Sequence, residues 1–161
     1  MKRSSVGHFS CSIARSLDVV GEWWTPLILR DIFAGKRRFE EIQADLGIAR
    51  NILSDRLSTL VERGLLERRR YQESPERFEY RLTEMGVDFF PVLVAMTKWG
   101  DRWLAGDDGA PVSYGHDTHD HDAAPVLVCG TCGEPLTARN ISAHKGPGWR
   151  PGQAGTLDFP D

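Results

Sequence analysis

The sequence predicts a mainly α-helical domain carrying one small β-hairpin, an α+β fold, on three observations. Four segments between residues 11 and 64 repeat apolar residues at the helical period, and the last two are joined by only a residue or two. Directly after them, "LERRRYQ" and "RFEYRL" read as two strands divided by "ESPE", where Pro75 fixes φ and favours a turn. Two short helices with a tight glycine-bearing junction form a helix-turn-helix, and a hairpin in the next position is its wing.

Each element has its own signal. "CSIARSLDVVGEWW" sets Ile13, Leu17, Val20 and Trp24 on one face, with Ser10 placed to cap its start. "WTPLILRDIF" reads as a short buried helix with Pro26 in its first turn, a position a helix tolerates. "RFEEIQADLG" aligns Phe39, Ile42 and Leu46 and ends at Gly47, a C-terminal cap. "ARNILSDRLSTLVERGLL" aligns Leu53, Leu57, Leu60 and Val61 and stops at Gly64. Beyond Thr83, a good N-cap, "EMGVDFFPVLVAMTKWGDRWLAG" carries an apolar band too wide for a helix that covers one small core, and Pro91 either kinks it or marks its true start.

With 161 residues, 40% apolar and 27% charged, the chain builds one well-packed domain and a small appendix. Composition divides it into a domain over 1–104, an acidic His/Asp-rich linker over 105–125, a CxxC-containing appendix over 126–145 and an irregular Gly/Pro-rich tail over 146–161. The longest apolar run, "FFPVLVAM", is far short of the roughly 20 residues of a membrane span, and "MKRSSVGHFS" lacks the apolar core of a signal peptide. The expectation is a soluble cytoplasmic protein with no membrane partner. Three cysteines, too few for a secreted disulfide framework, fit a reducing compartment.

The formal net charge of -3 conceals an uneven distribution. Residues 1–104 hold 17 Lys/Arg against 15 Asp/Glu, while residues 105–161 hold 3 against 8. Twelve of the 17 fall between Arg30 and Arg81, so a mildly acidic total is compatible with an anionic partner. If Leu53, Leu57, Leu60 and Val61 face the core, Arg50, Asn51, Ser54 and Asp55 lie outside near a helix start. Arg binds guanine bidentately, Asn does the same with adenine, and the first turn's unpaired N–H groups favour a phosphate. Asp55 either accepts from cytosine or orients Arg56. Five arginines of the hairpin, Arg68, Arg69, Arg70, Arg77 and Arg81, make a basic rim that strand alternation divides between two faces. The DNA-binding set is therefore Arg37, Arg38, Arg50, Asn51, Ser54, Arg56, Arg68, Arg70 and Arg77. A merely solvated polar helix face is the competing reading.

The order of these segments, with "GEWWTPLILRDI", "RRFEEI", "LSDRLSTLVERGLLERR", "FEYRLTEMG" and "WGDRW" and the start at Cys11, resembles the HxlR family of bacterial winged helix-turn-helix regulators, relatives of the MarR group. The resemblance covers residues 11 to about 104. It implies a sequence-specific DNA-binding transcriptional regulator, a repressor rather than an activator, that dimerises through its N- and C-terminal helices. Where the family has Ile-Ser opening the recognition helix, this chain has Ile48-Ala49, which removes a capping or phosphate-binding hydroxyl. A homodimer also follows from the wide band of the last helix, whose Phe90, Leu93, Met96, Trp99 and Trp103 are assigned to the interface, with Trp23 and Trp24 as packing partners in the same or a second subunit. A two-fold dimer prefers a palindromic operator.

Cys11 is the candidate redox sensor. It is read in the first helical turn, with Arg15 one turn onward, a setting that favours thiolate chemistry. Members of the family it resembles sense oxidants through a cysteine at this place; a small apolar filler is the alternative, and a small-molecule effector near the tryptophans is a second route to switching. In the appendix, Cys129-Gly-Thr-Cys132-Gly has the form of half a zinc knuckle. Zinc is the one cofactor with a candidate site, on Cys129 and Cys132 completed by His116 and His119, by His121 or His144, or by a second subunit. A decayed metal site, a redox CxxC pair and a disordered acidic tail are the alternatives. The sequence has no Gly-rich phosphate loop and no Ser/His/Asp pattern, so an enzyme is not expected. A winged helix that binds protein, with a zinc-binding tail and no specific DNA target, is the rival function.

Overall fold

The computed structural model describes residues 5–156, so the ends of the 1–104 and 146–161 segments lie outside the described residues. Its elements run α1 (Ser12–Val20), α2 (Trp24–Phe33), α3 (Phe39–Leu46), α4 (Arg50–Glu62), β1 (Leu66–Gln72), β2 (Arg77–Leu82), α5 (Glu84–Val87) and α6 (Phe90–Leu104). The strands form a two-stranded antiparallel sheet with Leu66 opposite Leu82 and Arg70 opposite Phe78. A bulge between Arg70 and Gln72 interrupts the register.

The chain divides into two compact units. One holds the described residues up to Phe90 together with those from Lys145 onward, and the other is Pro91–His144. This differs from the division read from composition in two ways. The break falls at Pro91 rather than after residue 104, because α6 clusters with the segment that follows it, Lys98 Nζ donating to the Pro125 carbonyl at 2.5 Å. The described part of the Gly/Pro-rich tail is tied to the first unit: Ser10 N donates to Ala154 O at 3.0 Å and Gln153 Nε2 to His8 O at 2.9 Å.

The core of the first unit is aliphatic. Ile28 and Leu29 of α2, Ile42 of α3, Ile48 of the turn, Leu53, Leu57 and Leu60 of α4, and Leu65 and Leu66 at the wing's root are all buried. Burying each such side chain contributes roughly 1.5–3 kcal/mol. Gly47 closes α3 at φ 60°, the left-handed conformation that favours glycine, and so permits the abrupt turn into α4. Thr83 fixes the far end of the wing: its hydroxyl donates to Gly64 O at 2.5 Å and accepts from Gly86 N at 3.2 Å, capping α5.

One expectation for the helices needs correction, and the alternative left open at Pro91 is decided. Ser10 does not cap α1; Cys11 occupies the N-cap position without a side-chain cap, and the Ser10 hydroxyl donates instead to Gly148 O at 3.4 Å. The long C-terminal helix is two helices, α5 and α6, and Pro91 sits in the first turn of the second, where its missing N–H breaks no ladder bond. Neither α1 nor α6 contains a buried residue, so the apolar faces of the N- and C-terminal helices are open. No helix among the described residues is long and apolar enough to cross a membrane.

Candidate nucleic-acid interface

The exposed side of α4 is set by its buried side. Leu53 and Leu57 point into the core, which leaves Arg50, Asn51, Ser54 and Asp55 exposed on the first two turns. Ala49 is the N-cap and supplies no side-chain cap, so the first amides of α4 carry no side-chain acceptor. Unpaired amides at the positive end of a helix favour an anion. Asp55 pairs with Arg56 at 2.8 Å, so it orients that guanidinium.

Beside this helix start lies a groove of about 590 Å³ walled by the start of α3, the start of α4 and the wing. It gathers Arg38, Arg50, Arg68 and Arg77. Three of the four are held against aromatic rings: Arg38 over Tyr71 at 4.7 Å, Arg50 over Phe39 at 4.8 Å and Arg68 over Phe78 at 3.5 Å. A guanidinium stacked on a ring keeps its N–H fork free at the edges for phosphate or a base. Strict alternation would put Arg68 and Tyr71 on opposite faces of β1; the bulge re-aims Tyr71, and both line the same groove.

The wing is anchored to α3 by backbone. Tyr80 N donates to Arg37 O at 2.7 Å, and Arg38 forms an antiparallel bridge with Glu79. Glu41 Oε2 accepts from the amides of Arg37 and Arg38 at 3.0 and 2.9 Å, and these bonds, Arg38's first, hold its carboxyl below the usual range. This carboxylate, although it lines the groove, acts on the backbone that positions Arg38.

The nine predicted residues therefore fall into three sets. Arg38, Arg50, Arg68 and Arg77 come together in the groove; Arg37, Asn51, Ser54 and Arg56 lie on the adjoining α3 and α4 starts; Arg70 stands apart, 3.8 Å from Glu73 and 3.5 Å from Glu76. Arg81, part of the basic rim, is paired with Glu79 at 2.7 Å. Sequence reasoning missed the aromatic floor of Phe39, Tyr71 and Phe78. For Tyr71 and Phe78 the signal was the alternation of arginine and aromatic residues in "RRRYQESPERFEYR", and for Phe39 the "RRF" at the start of α3.

Cys11 is half-buried with a free thiol. Arg15 is near it only through backbone, its amide donating to Cys11 O at 3.1 Å, while its guanidinium donates to Ser12 Oγ at 3.5 Å. In the second unit, Cys129 and Cys132 form a tight knuckle. Cys129 N donates to Glu134 O and Gly133 N to Cys129 O, both at 2.8 Å, with Gly133 at φ 76°. Amides of Cys132 and Thr131 directed at the Cys129 sulfur bring its thiol down to about 7.

The ligand set Cys129, Cys132, His116 and His119 is not assembled. Among the described residues, His116 and His119 converge with His121 instead, and no such cluster includes the cysteines. The reason is local: Gly115 bridges Asp122 and Val128 bridges Pro135, closing two separate loops that each gather their own side chains.

Comparison with known proteins places this geometry. Residues 19–108 match the family described as HxlR-like helix-turn-helix. An uncharacterized HTH-type transcriptional regulator of Mycobacterium tuberculosis is 48% identical over 139 residues, 86% of this chain and 88% of the relative. Those 139 residues exceed the 104 of the predicted domain by 35, so the similarity extends into the appendix. The crystal structure of PA1607, a candidate transcription factor, aligns with a TM-score of 0.80 at 38% identity, covering 89% of this chain and 100% of that one. The redox regulator HypR in its oxidized form aligns with a TM-score of 0.54 at 31% identity, covering 57% of this chain and 96% of that one.

Proposed function

Because the chain belongs to the HxlR family of helix-turn-helix transcriptional regulators and is a DNA-binding regulator, we propose that it works as a cytoplasmic homodimeric repressor on a palindromic operator, acting by binding and not by catalysis. The observation that carries this reading is the groove in which Arg38, Arg50, Arg68 and Arg77 meet beside the uncapped start of α4. The first turns of α4 enter the major groove, where Asn51 and Arg50 reach base edges, and the wing arginines hold the backbone.

The homodimer is supported by the apolar faces of α1 and α6. Ile13 is 71% exposed, Trp99 60% and Trp103 63%, side chains that gain most from burial against a second copy. Phe90, Leu93 and Met96 add to the apolar side chains that α6 offers. Release of the operator follows oxidation of Cys11 or entry of a small ligand near the tryptophans, either of which changes the spacing of the two α4 helices. The likeness to HypR, described as a redox regulator, supports the thiol route.

Nuclease footprinting on the upstream intergenic DNA of its own gene tests the proposal. Two protected half-sites about one helical turn apart, lost on diamide treatment and retained in Cys11→Ser, are expected. Protection of a single half-site would overturn the dimer, and protection indifferent to oxidant would overturn the thiol switch.

A further inference from the structure

The segment "YGHDTHDHDA", residues 114–123, folds on itself more tightly than an acidic linker requires. Gly115 bridges Asp122, Ala123 N donates to Tyr114 O at 2.6 Å, and His116 N donates to His121 O at 3.0 Å. Inside that closure His119 N donates to His116 O at 2.8 Å and His121 N to His119 O at 3.0 Å. The consequence is a convergence of three imidazoles, one ligand nitrogen of each lying within 4.8 Å of the others.

The rings are oriented as well as close. His121 Nδ1 lies 2.8 Å from Asp122 O; a carbonyl only accepts, so Nδ1 carries the proton and Nε2 presents its lone pair. His119 Nδ1 meets Thr118 Oγ1 at 2.9 Å, and His116 Nε2 is 3.5 Å from the same hydroxyl. Each imidazole thus has one ring nitrogen beside a polar neighbour, and contacts of this kind orient metal-binding histidines. Asp117, Asp120 and Asp122 alternate with them, and the segment itself holds no Lys or Arg, so although Lys98 reaches the Pro125 carbonyl nearby, the three carboxylates beside the histidines favour a cation.

We propose that His116, His119 and His121 form a binding site for one borderline divalent transition ion of the Zn²⁺ class. Three imidazoles suit such ions, and the remaining positions fall to water or a loop carboxylate. The site does not use Cys129 or Cys132, which sit in their own knuckle, and it is independent of the DNA-binding reading.

The test is calorimetric titration of the full-length, tag-free, chelator-treated protein with Zn²⁺ alone, repeated on His119→Ala, His121→Ala and the double variant Cys129→Ser/Cys132→Ser. One ion per chain at micromolar Kd or tighter is expected, weakened about tenfold or more by either histidine change and unchanged in the double cysteine variant. Co²⁺ loading should give no thiolate-to-cobalt absorption in the near ultraviolet. Several weakly bound ions per chain, meaning adventitious binding only, would overturn the proposal. So would full affinity in both histidine variants, or loss confined to the cysteine variant. Unchanged metal-free circular dichroism shows that the variants fold.

Discussion

The guanidinium carbon of Arg68 lies 3.5 Å from the ring centroid of Phe78, the closest of the arginine–aromatic stacks in the groove beside α4. The ring restricts the guanidinium without neutralising it. Arg70, two residues on, is flanked by Glu73 and Glu76. Arg68→Ala is therefore expected to lower DNA affinity by about 1 kcal/mol across sequences and to reduce the salt slope by about 1. Arg70→Ala should do distinctly less. Anisotropy titrations of both variants on the same duplex at several salt concentrations check this.

Asn51 is exposed one residue into α4, whose N-cap Ala49 offers no side-chain acceptor. Asn51→Ala should cost about 1–3 kcal/mol on the preferred site. Its effect on unrelated DNA should be small. Competition binding against a randomised duplex separates the two; equal losses on both would assign Asn51 to the backbone.

Gly86 has a packing role. A Cβ there would fall 2.2 Å from Leu65 O, backbone that cannot yield cheaply because it also accepts from Thr83 N at 3.0 Å. Gly86→Ala should destabilise the fold by about 1–3 kcal/mol. A thermal melt followed by circular dichroism reads the loss directly.

Asp31 gives a pH signature. It is 1% exposed; its Oδ1 accepts from Arg30 Nε at 2.9 Å and Nη2 at 2.6 Å, and its Oδ2 has no partner. Burial raises its carboxyl above the usual range despite Arg30, so its ionisation costs stability at neutral pH, a cost removed as pH falls through the raised value. Asp45 runs the other way: its hydrogen bond from Lys36 lowers its carboxyl, and that contribution is lost as pH falls through the lowered value. Asp31→Asn keeps the oxygen that Arg30 uses and offers Asp45 a donor. It should raise stability near pH 7 by about 1 kcal/mol, an advantage that shrinks towards pH 4. Melting curves of both proteins across that range decide it.

The helices and wing were legible because periodicity and turn residues are local signals. Leu53, Leu57 and Leu60 are buried as their spacing predicts, and both strands keep the predicted bounds. The groove was legible only in part. Which arginines meet depends on the bulge at Tyr71 and on backbone pairing between Arg38 and Glu79, residues 41 positions apart, which no local pattern encodes. Ser10 failed as a cap because the tail competes for it, a long-range contact of the same kind. After α6, the sequence grouped His116 and His119 with Cys129 and Cys132, whereas the structure gathers them with His121. The H-x2-H-x-H spacing of His116, His119 and His121 is present in the sequence.

The central claim, that α4 and the wing bind DNA through this basic groove, is tested most directly by fluorescence anisotropy on the gene's own upstream duplex and on a random duplex across salt. Log affinity should fall linearly with log salt, with a slope of about -4 or steeper if the four groove arginines each neutralise a phosphate, and the upstream duplex should bind more tightly. Affinity insensitive to salt, or none for either duplex at low salt, would contradict the claim.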